Sequence, residues 1–235
     1  MEIKKGICII ASTNAINMKR QIRFILFLFI VSLTACQKQP HILPLLQEAE
    51  TLMDSRPDSS LCLLESVQSP ENLSAAEYAT WCLLVTQARD KNYVEHTSDS
   101  VIGVAVRYFE KQKDPKRKAF SFYYQGRVNQ DMGNKDNALV NYLSALDMAE
   151  KQREHKLCGL ICNKIGQIYR EQYMEDKAYL YFEDANSYYG IANDTVGQIF
   201  ALRNIGRYYA EKMPSNPDSA ILMYKQAYEL AVKNG

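Results

Sequence analysis

Three glycines set the frame for this chain. Gly126 stands in YYQGRVNQ, Gly166 in NKIGQIYR and Gly206 in RNIGRYYA, each forty residues from the next. A second set follows at fixed distances. Ala138 and Ala178 lie twelve residues past the first two glycines, and Ala220 lies fourteen past the third, where MPSNP lengthens the turn. Four residues after each alanine comes a ring, Tyr142, Phe182 or Tyr224, and three beyond that another alanine, Ala145, Ala185 or Ala227. Small residues at this spacing let two antiparallel helices approach closely, and the ring fills the hole between neighbouring repeats. A chain with such a period folds as a stack of equivalent units.

The composition agrees. Of 235 residues, 47% are hydrophobic and 23% charged, enough for a full core in one long domain or two small ones. There are 10 Gly and 7 Pro, few breakers for the length, and beyond residue 41 the sequence is rich in Ala, Leu, Lys, Glu and Gln. That predicts an all-α protein. A net charge of +1 gives no reason to expect nucleic acid as a partner.

The glycine, alanine and aromatic positions resemble the tetratricopeptide repeat, over about residues 119–233. The resemblance implies an α-solenoid of antiparallel helix pairs wound into a right-handed superhelix, with the glycine in the first helix of each pair and the alanines and ring in the second. The period of forty exceeds the family's usual length of about 34, which implies longer turns between repeats. The aromatic of the first helix is present as Phe122 but replaced by Cys162 and Leu202 in the next units, and the proline that often closes a repeat is missing. Upstream, PDSSLCLLESV, SDSVIGVAVRYF and PDSAILMYKQAY each place an Asp-Ser pair before an apolar helical pattern, so that Asp58, Asp99 and Asp218, or the serines beside them, are expected to cap second helices. Five hairpins result: two degenerate ones within 42–112, at 42–68 and 74–112, and three repeats within 117–235, at 117–151, 156–192 and 197–234. A polar capping helix, usual at the end of a solenoid, does not follow. The expectation is either another form of cap or the front part of a longer protein.

The N-terminus carries a different signal. A basic segment, Met18 to Arg23, precedes an apolar run from Phe24 to Leu33. That run is about ten residues, short of the roughly 20 a spanning helix needs, and fits an export signal with its start at Met18. It ends in Leu33, Thr34, Ala35 and Cys36, which resembles the lipobox of bacterial lipoproteins. The resemblance implies removal of residues 1–35, acylation of Cys36, and a tether over 36–41. A diacyl group with an N-acyl chain supplies stable membrane attachment. With Gln37 rather than an acid after the cysteine, the expected place is the outer membrane, facing the periplasm.

No catalytic constellation stands out. Only three histidines occur, His41, His96 and His155, and no Ser-His-Asp set, phosphate loop or carboxylate pair accompanies them. His155, Cys158 and Cys162 share a helical spacing but lack a fourth ligand, and small buried thiols are the better reading. Cys62 and Cys82 can pair in an oxidising compartment, although sequence cannot assign the bond. The chain is expected to be no enzyme and to need no cofactor or metal.

The first helices are more informative. In tetratricopeptide arrays, the concave groove is lined at offsets −3, −2, +1 and +4 from the glycine. Here these are Tyr123, Tyr124, Arg127 and Gln130, then Asn163, Lys164, Gln167 and Arg170, then Arg203, Asn204, Arg207 and Ala210. No acid falls at these places. Arg and Asn there resemble the family's carboxylate clamp, which implies a protein or peptide partner with an acidic or C-terminal carboxylate group. The expected function is therefore a lipid-anchored envelope scaffold with a basic peptide-binding groove. Two alternatives are a glycan-capture outer-membrane lipoprotein, which one Trp and short loops fit poorly, and the N-terminal sensor part of a longer regulatory protein.

Overall fold

The computed structural model describes residues 42–212 and 214–234. Cys36, the lipobox and the tether lie outside them. Among the described residues there are ten α-helices and no strand: α1 Ile42–Leu52, α2 Pro57–Glu65, α3 Ala75–Lys91, α4 Ser100–Phe109, α5 Pro115–Asp131, α6 Lys135–Lys151, α7 His155–Glu171, α8 Glu175–Ile191, α9 Thr195–Glu211 and α10 Pro217–Asn234, with a short 3-10 turn at Pro70–Asn72. None is long and apolar enough to cross a membrane. From α2 onward, consecutive helices pack on one another, as in an α-solenoid.

The period of forty has a simple origin. Helices α5 to α9 are each 17 residues long, and every turn between them, within or between hairpins, has three residues. The turns are not lengthened; helix length carries the extra residues. Each turn has the same form. Gly133, Arg153, Tyr173 and Asn193 take φ of 79°, 55°, 60° and 54°, and the next amide reaches back five residues: Asn134 to Asn129, Glu154 to Ala149, Met174 to Tyr169 and Asp194 to Tyr189, at 2.8–3.0 Å. This is the Schellman closure, which satisfies carbonyls the helix end would leave orphaned. The α9–α10 connection, where MPSNP intervenes, departs from it, as do the α1–α2 and α4–α5 connections, which hold no positive-φ residue.

Helix starts are capped differently from expectation. Asp58 and Asp218 lie inside the first turns of α2 and α10, and Asp99 at the start of α4 makes no side-chain cap. The carboxylates that do accept helix-start amides precede odd-numbered helices: Asp114 from Arg117 at 3.0 Å and Asp194 from Gly197 at 2.9 Å. Ser74 forms a reciprocal capping box with Glu77, and Asn216 caps α10 by accepting from Ser219.

The repeat glycines meet rings of their own hairpins. A Cβ on Gly126 would lie 2.6 Å from the Tyr142 ring, one on Gly166 2.6 Å from Phe182, and one on Gly206 2.8 Å from Tyr224. Ala138, Ala145, Ala178, Ala185, Ala220 and Ala227 are buried beside them. The ring also reaches the following hairpin, since Phe182 packs in one cluster with Ile205. Tyr189 adds a contact of the same kind, pressed against Gly159 of α7 and Gly197 of α9. In the last hairpin nothing described lies beyond α10, and Tyr224 is 42% exposed while Tyr142 and Phe182 are buried.

Candidate interaction face of the odd-numbered helices

The odd-numbered helices share a face, because polar side chains bridge them directly. Its first half is closed. Arg127 on α5 donates to Asp90 on α3 at 2.8 Å and lies 3.3 Å from Asp131 one turn on. It also reaches Gln130 Oε1 at 3.3 Å, which accepts the Tyr142 hydroxyl at 2.9 Å. Burial works against the Arg127 charge, but Asp90 together with Tyr142 and Tyr123 outweighs it, so the guanidinium is held above its ordinary value. Tyr123 and Tyr124 are only 3% exposed each. Burial drives both phenols well above their usual range. They are core residues and do not line an open groove, which corrects the sequence expectation for both.

Lys164 on α7 sits at the border. Burial first, and then the like charge of Arg127, lower its ammonium to about 8, against the pull of Asp90, Asp131 and Glu171. It is a desolvated amine beside a neutralised arginine, not a free groove cation.

The second half is open and polar. Arg170 on α7 donates to Asn204 Oδ1 on α9 at 2.8 Å, and Asn204 Nδ2 donates back across to Asn163 Oδ1 at 2.9 Å. Burial, with the nearby Arg207, lowers the Arg170 guanidinium. Arg207 is half-exposed and pairs with Glu211 on its own helix at 2.7 Å. Arg203 lies exposed over the Phe200 ring at 5.9 Å, and Gln167 is half-buried. The amide–arginine ladder is therefore the part of the expected groove that the structure leaves turned outward.

A third set of charges had no place in the sequence reading. At the C-terminal end of α1, Glu50 pairs with Arg117 at 3.2 Å, while Asp54 meets Lys91 at 2.9 Å and Lys156 at 3.1 Å. The Lys91 hydrogen bond, more than burial opposes it, holds the Asp54 carboxyl below its usual range. These contacts carry α1 onto α3, α5 and α7 together. A crevice of about 390 Å³ runs beside them, lined by Met53, Leu83, Gln87 and Phe120 among others. The face of the odd-numbered helices is thus not acid-free. Asp131 falls one place past the offsets considered, whereas Asp90, Glu50 and Asp54 belong to hairpins whose first helices carry no repeat glycine to align them.

The cysteines resolve as free thiols, with Cys82, Cys158 and Cys162 buried and Cys62 exposed, so Cys62 and Cys82 are not bridged. Burial lifts the thiols of Cys82 to about 12 and Cys158 to about 11, and Cys162 higher still. That chemistry is inert, not nucleophilic. His155 stacks on Tyr188 at 6.2 Å.

Helix pairs joined by tight turns, with glycine under an aromatic ring, define a tetratricopeptide-type solenoid. Solved structures agree on the fold. The chain is similar to BtubC from P. vanneervenii, with a TM-score of 0.54, 16% identity and coverage of 79% of this chain and 68% of that one. It is similar to MamA, at 0.53, 18%, 79% and 94%. It is also similar to a P. anserina kinesin-light-chain protein of nearly identical TPR-like repeats, at 0.54, 12%, 81% and 95%. No family model and no curated protein sequence matches the chain.

Proposed function

We propose that this chain is a lipid-anchored scaffold of the bacterial envelope that binds a protein or peptide through the α7–α9 part of the odd-helix face. The observation that carries the binding reading is the ladder Arg170–Asn204–Asn163, flanked by exposed Arg203 and Arg207. Side-chain amides supply both a donor and an acceptor and can turn to the main chain of a bound peptide. The arginines favour an acidic segment or a terminal carboxylate. Anchoring rests on the sequence around Cys36, with outer-membrane placement facing the periplasm. A tethered solenoid of this kind concentrates its face at the membrane surface.

Pull-down from envelope extract tests the face. Reversal of Arg170, Arg203 and Arg207 to Glu is expected to remove the partner recovered by the wild-type chain. Unchanged recovery would sink the reading. Mass spectrometry of the mature N-terminal peptide tests the anchor, where a Cys36 free of lipid is the adverse result.

A further inference from the structure

Glu50, Arg117 and Lys156 lie at the wrong ends of their helices, whereas Lys91 lies at the favoured end of α3. Glu50 lies in the last turn of α1 and Asp54 just beyond it, where the helix dipole disfavours acids, and α1 has no basic residue in that turn. Arg117 and Lys156 lie in the first turns of α5 and α7, where the dipole disfavours cations, and neither first turn holds an acid. The helix dipoles therefore oppose both sets, although Arg117 has a local counter-charge in its N-cap residue Asp114, 3.7 Å away. What satisfies them is tertiary: Glu50 meets Arg117 across 67 residues of sequence, and Asp54 meets Lys156 across 102. Three cations from three odd helices converge on Glu50 and Asp54, with Asp114 also 3.7 Å from Arg117, so the charges at this seat balance.

These pairs also differ from the Asp90–Arg127 pair in being solvated. Side-chain exposures run from 30% for Lys91 to 64% for Asp54. Exposed ion pairs of this sort add little to stability, so exchanging one carboxylate for another across the same cations is close to neutral. The apolar side of α1 stays held by its own buried residues, Leu46, Ala49 and Met53, and Ser60 of α2 donates to the Ala49 carbonyl at 2.8 Å. The hairpin can thus give up its acid contacts without unfolding.

We propose that the acidic end of α1 is an internal ligand of the odd-helix face: Glu50 and Asp54 hold the seat formed by Lys91, Arg117 and Lys156, and a partner protein segment with two carboxylates four residues apart displaces them. This rests on the peptide-binding reading above and extends the binding face from α7 and α9 to the starts of α5 and α7. The internal acids set a threshold. A partner with one carboxylate does not match what α1 already supplies, whereas one with two, and neighbouring contacts to the amide ladder, does.

The test uses a fluorescein-labelled, alanine-based helical peptide with one Glu and one Asp four residues apart near its C-terminus. Binding is followed by anisotropy at low salt to the full chain, to Glu50→Gln/Asp54→Asn, and to that double variant with Arg117→Gln/Lys156→Gln added. The double variant is expected to bind at least tenfold tighter than wild type, and the quadruple variant to lose that gain. Equal affinity for wild type and double variant, with circular dichroism showing both folded, overturns the internal ligand. If that equal binding is lost in Asn204→Ala, the amide-ladder reading survives alone. A tenfold gain indifferent to Asn204→Ala keeps the internal ligand and removes the ladder. Absence of binding to all three chains also overturns the internal ligand, and leaves the ladder to the pull-down.

Discussion

Arg127 and Arg207 occupy the same place, one residue after a repeat glycine, and they behave as opposites. The Arg127 side chain is 15% exposed and locked to Asp90 of the preceding odd helix. The Arg207 side chain is 52% exposed and pairs only within its own helix. The difference lies one hairpin upstream. Asp90 and Arg170 hold equivalent places in α3 and α7, eighty residues apart. Arg127 therefore meets an acid from the preceding odd helix, and Arg207 meets a cation. A position's role in this array is set by the residue 37 places upstream, on the preceding odd helix, as much as by its own identity.

The comparison breaks most visibly at Asp90. Replacement by Ala removes the main partner of a buried guanidinium and is expected to cost about 3 kcal/mol, measured by chemical denaturation. A loss below about 0.5 kcal/mol, typical of surface sites, would place Arg127 with the solvated cations. The next effect concerns Lys164. Its folded pKa of about 8 lies below the ordinary 10.5, so between those values the unfolded chain holds more protons and stability rises with pH. Lys164→Met is expected to stabilise the protein by about 1–2 kcal/mol at pH 7 and to flatten the rise between pH 8 and 10. Denaturation curves across that range that match wild type would contradict the desolvation. The smallest effect converts the open half toward the closed one. Arg170→Asp is expected to capture Arg207, with a coupling of about 0.5–1 kcal/mol in a double-mutant cycle with Arg207→Ala. Zero coupling would show that α7 and α9 are not spaced as α3 and α5 are.

The helix pairs were legible because they rest on local rules: a small residue opposite a ring, and helix-forming sequence between turns. Gly126 beneath Tyr142 and Gly166 beneath Phe182 are contacts within single hairpins, so spacing alone carries them. The face was only half legible, because its charges are balanced across hairpins. Arg127 looked free since Asp90 is 37 residues away in a hairpin whose sequence lacks the glycine frame. Tyr123 and Tyr124 looked like groove residues since the offsets assume an open face. The turns were misjudged for another reason: Arg153, Tyr173 and Asn193 give no glycine signal at a left-handed position, so nothing in the sequence marked where each helix stopped.

That recurring left-handed residue has a consequence for how such a chain can change in length. It returns every twenty residues from Gly133 to Asn193, once per helix and not once per hairpin. Inserting twenty residues between α6 and α7 would preserve every turn yet invert the parity of everything downstream. Helices carrying Gly166 and Gly206 would then stand where ring-bearing helices belong, and those carrying Phe182 and Tyr224 where ladder-bearing helices belong. Forty residues restore parity. The array has two clocks, a twenty-residue one that the backbone keeps and a forty-residue one that only the side chains keep, and growth by duplication must satisfy the slower of them.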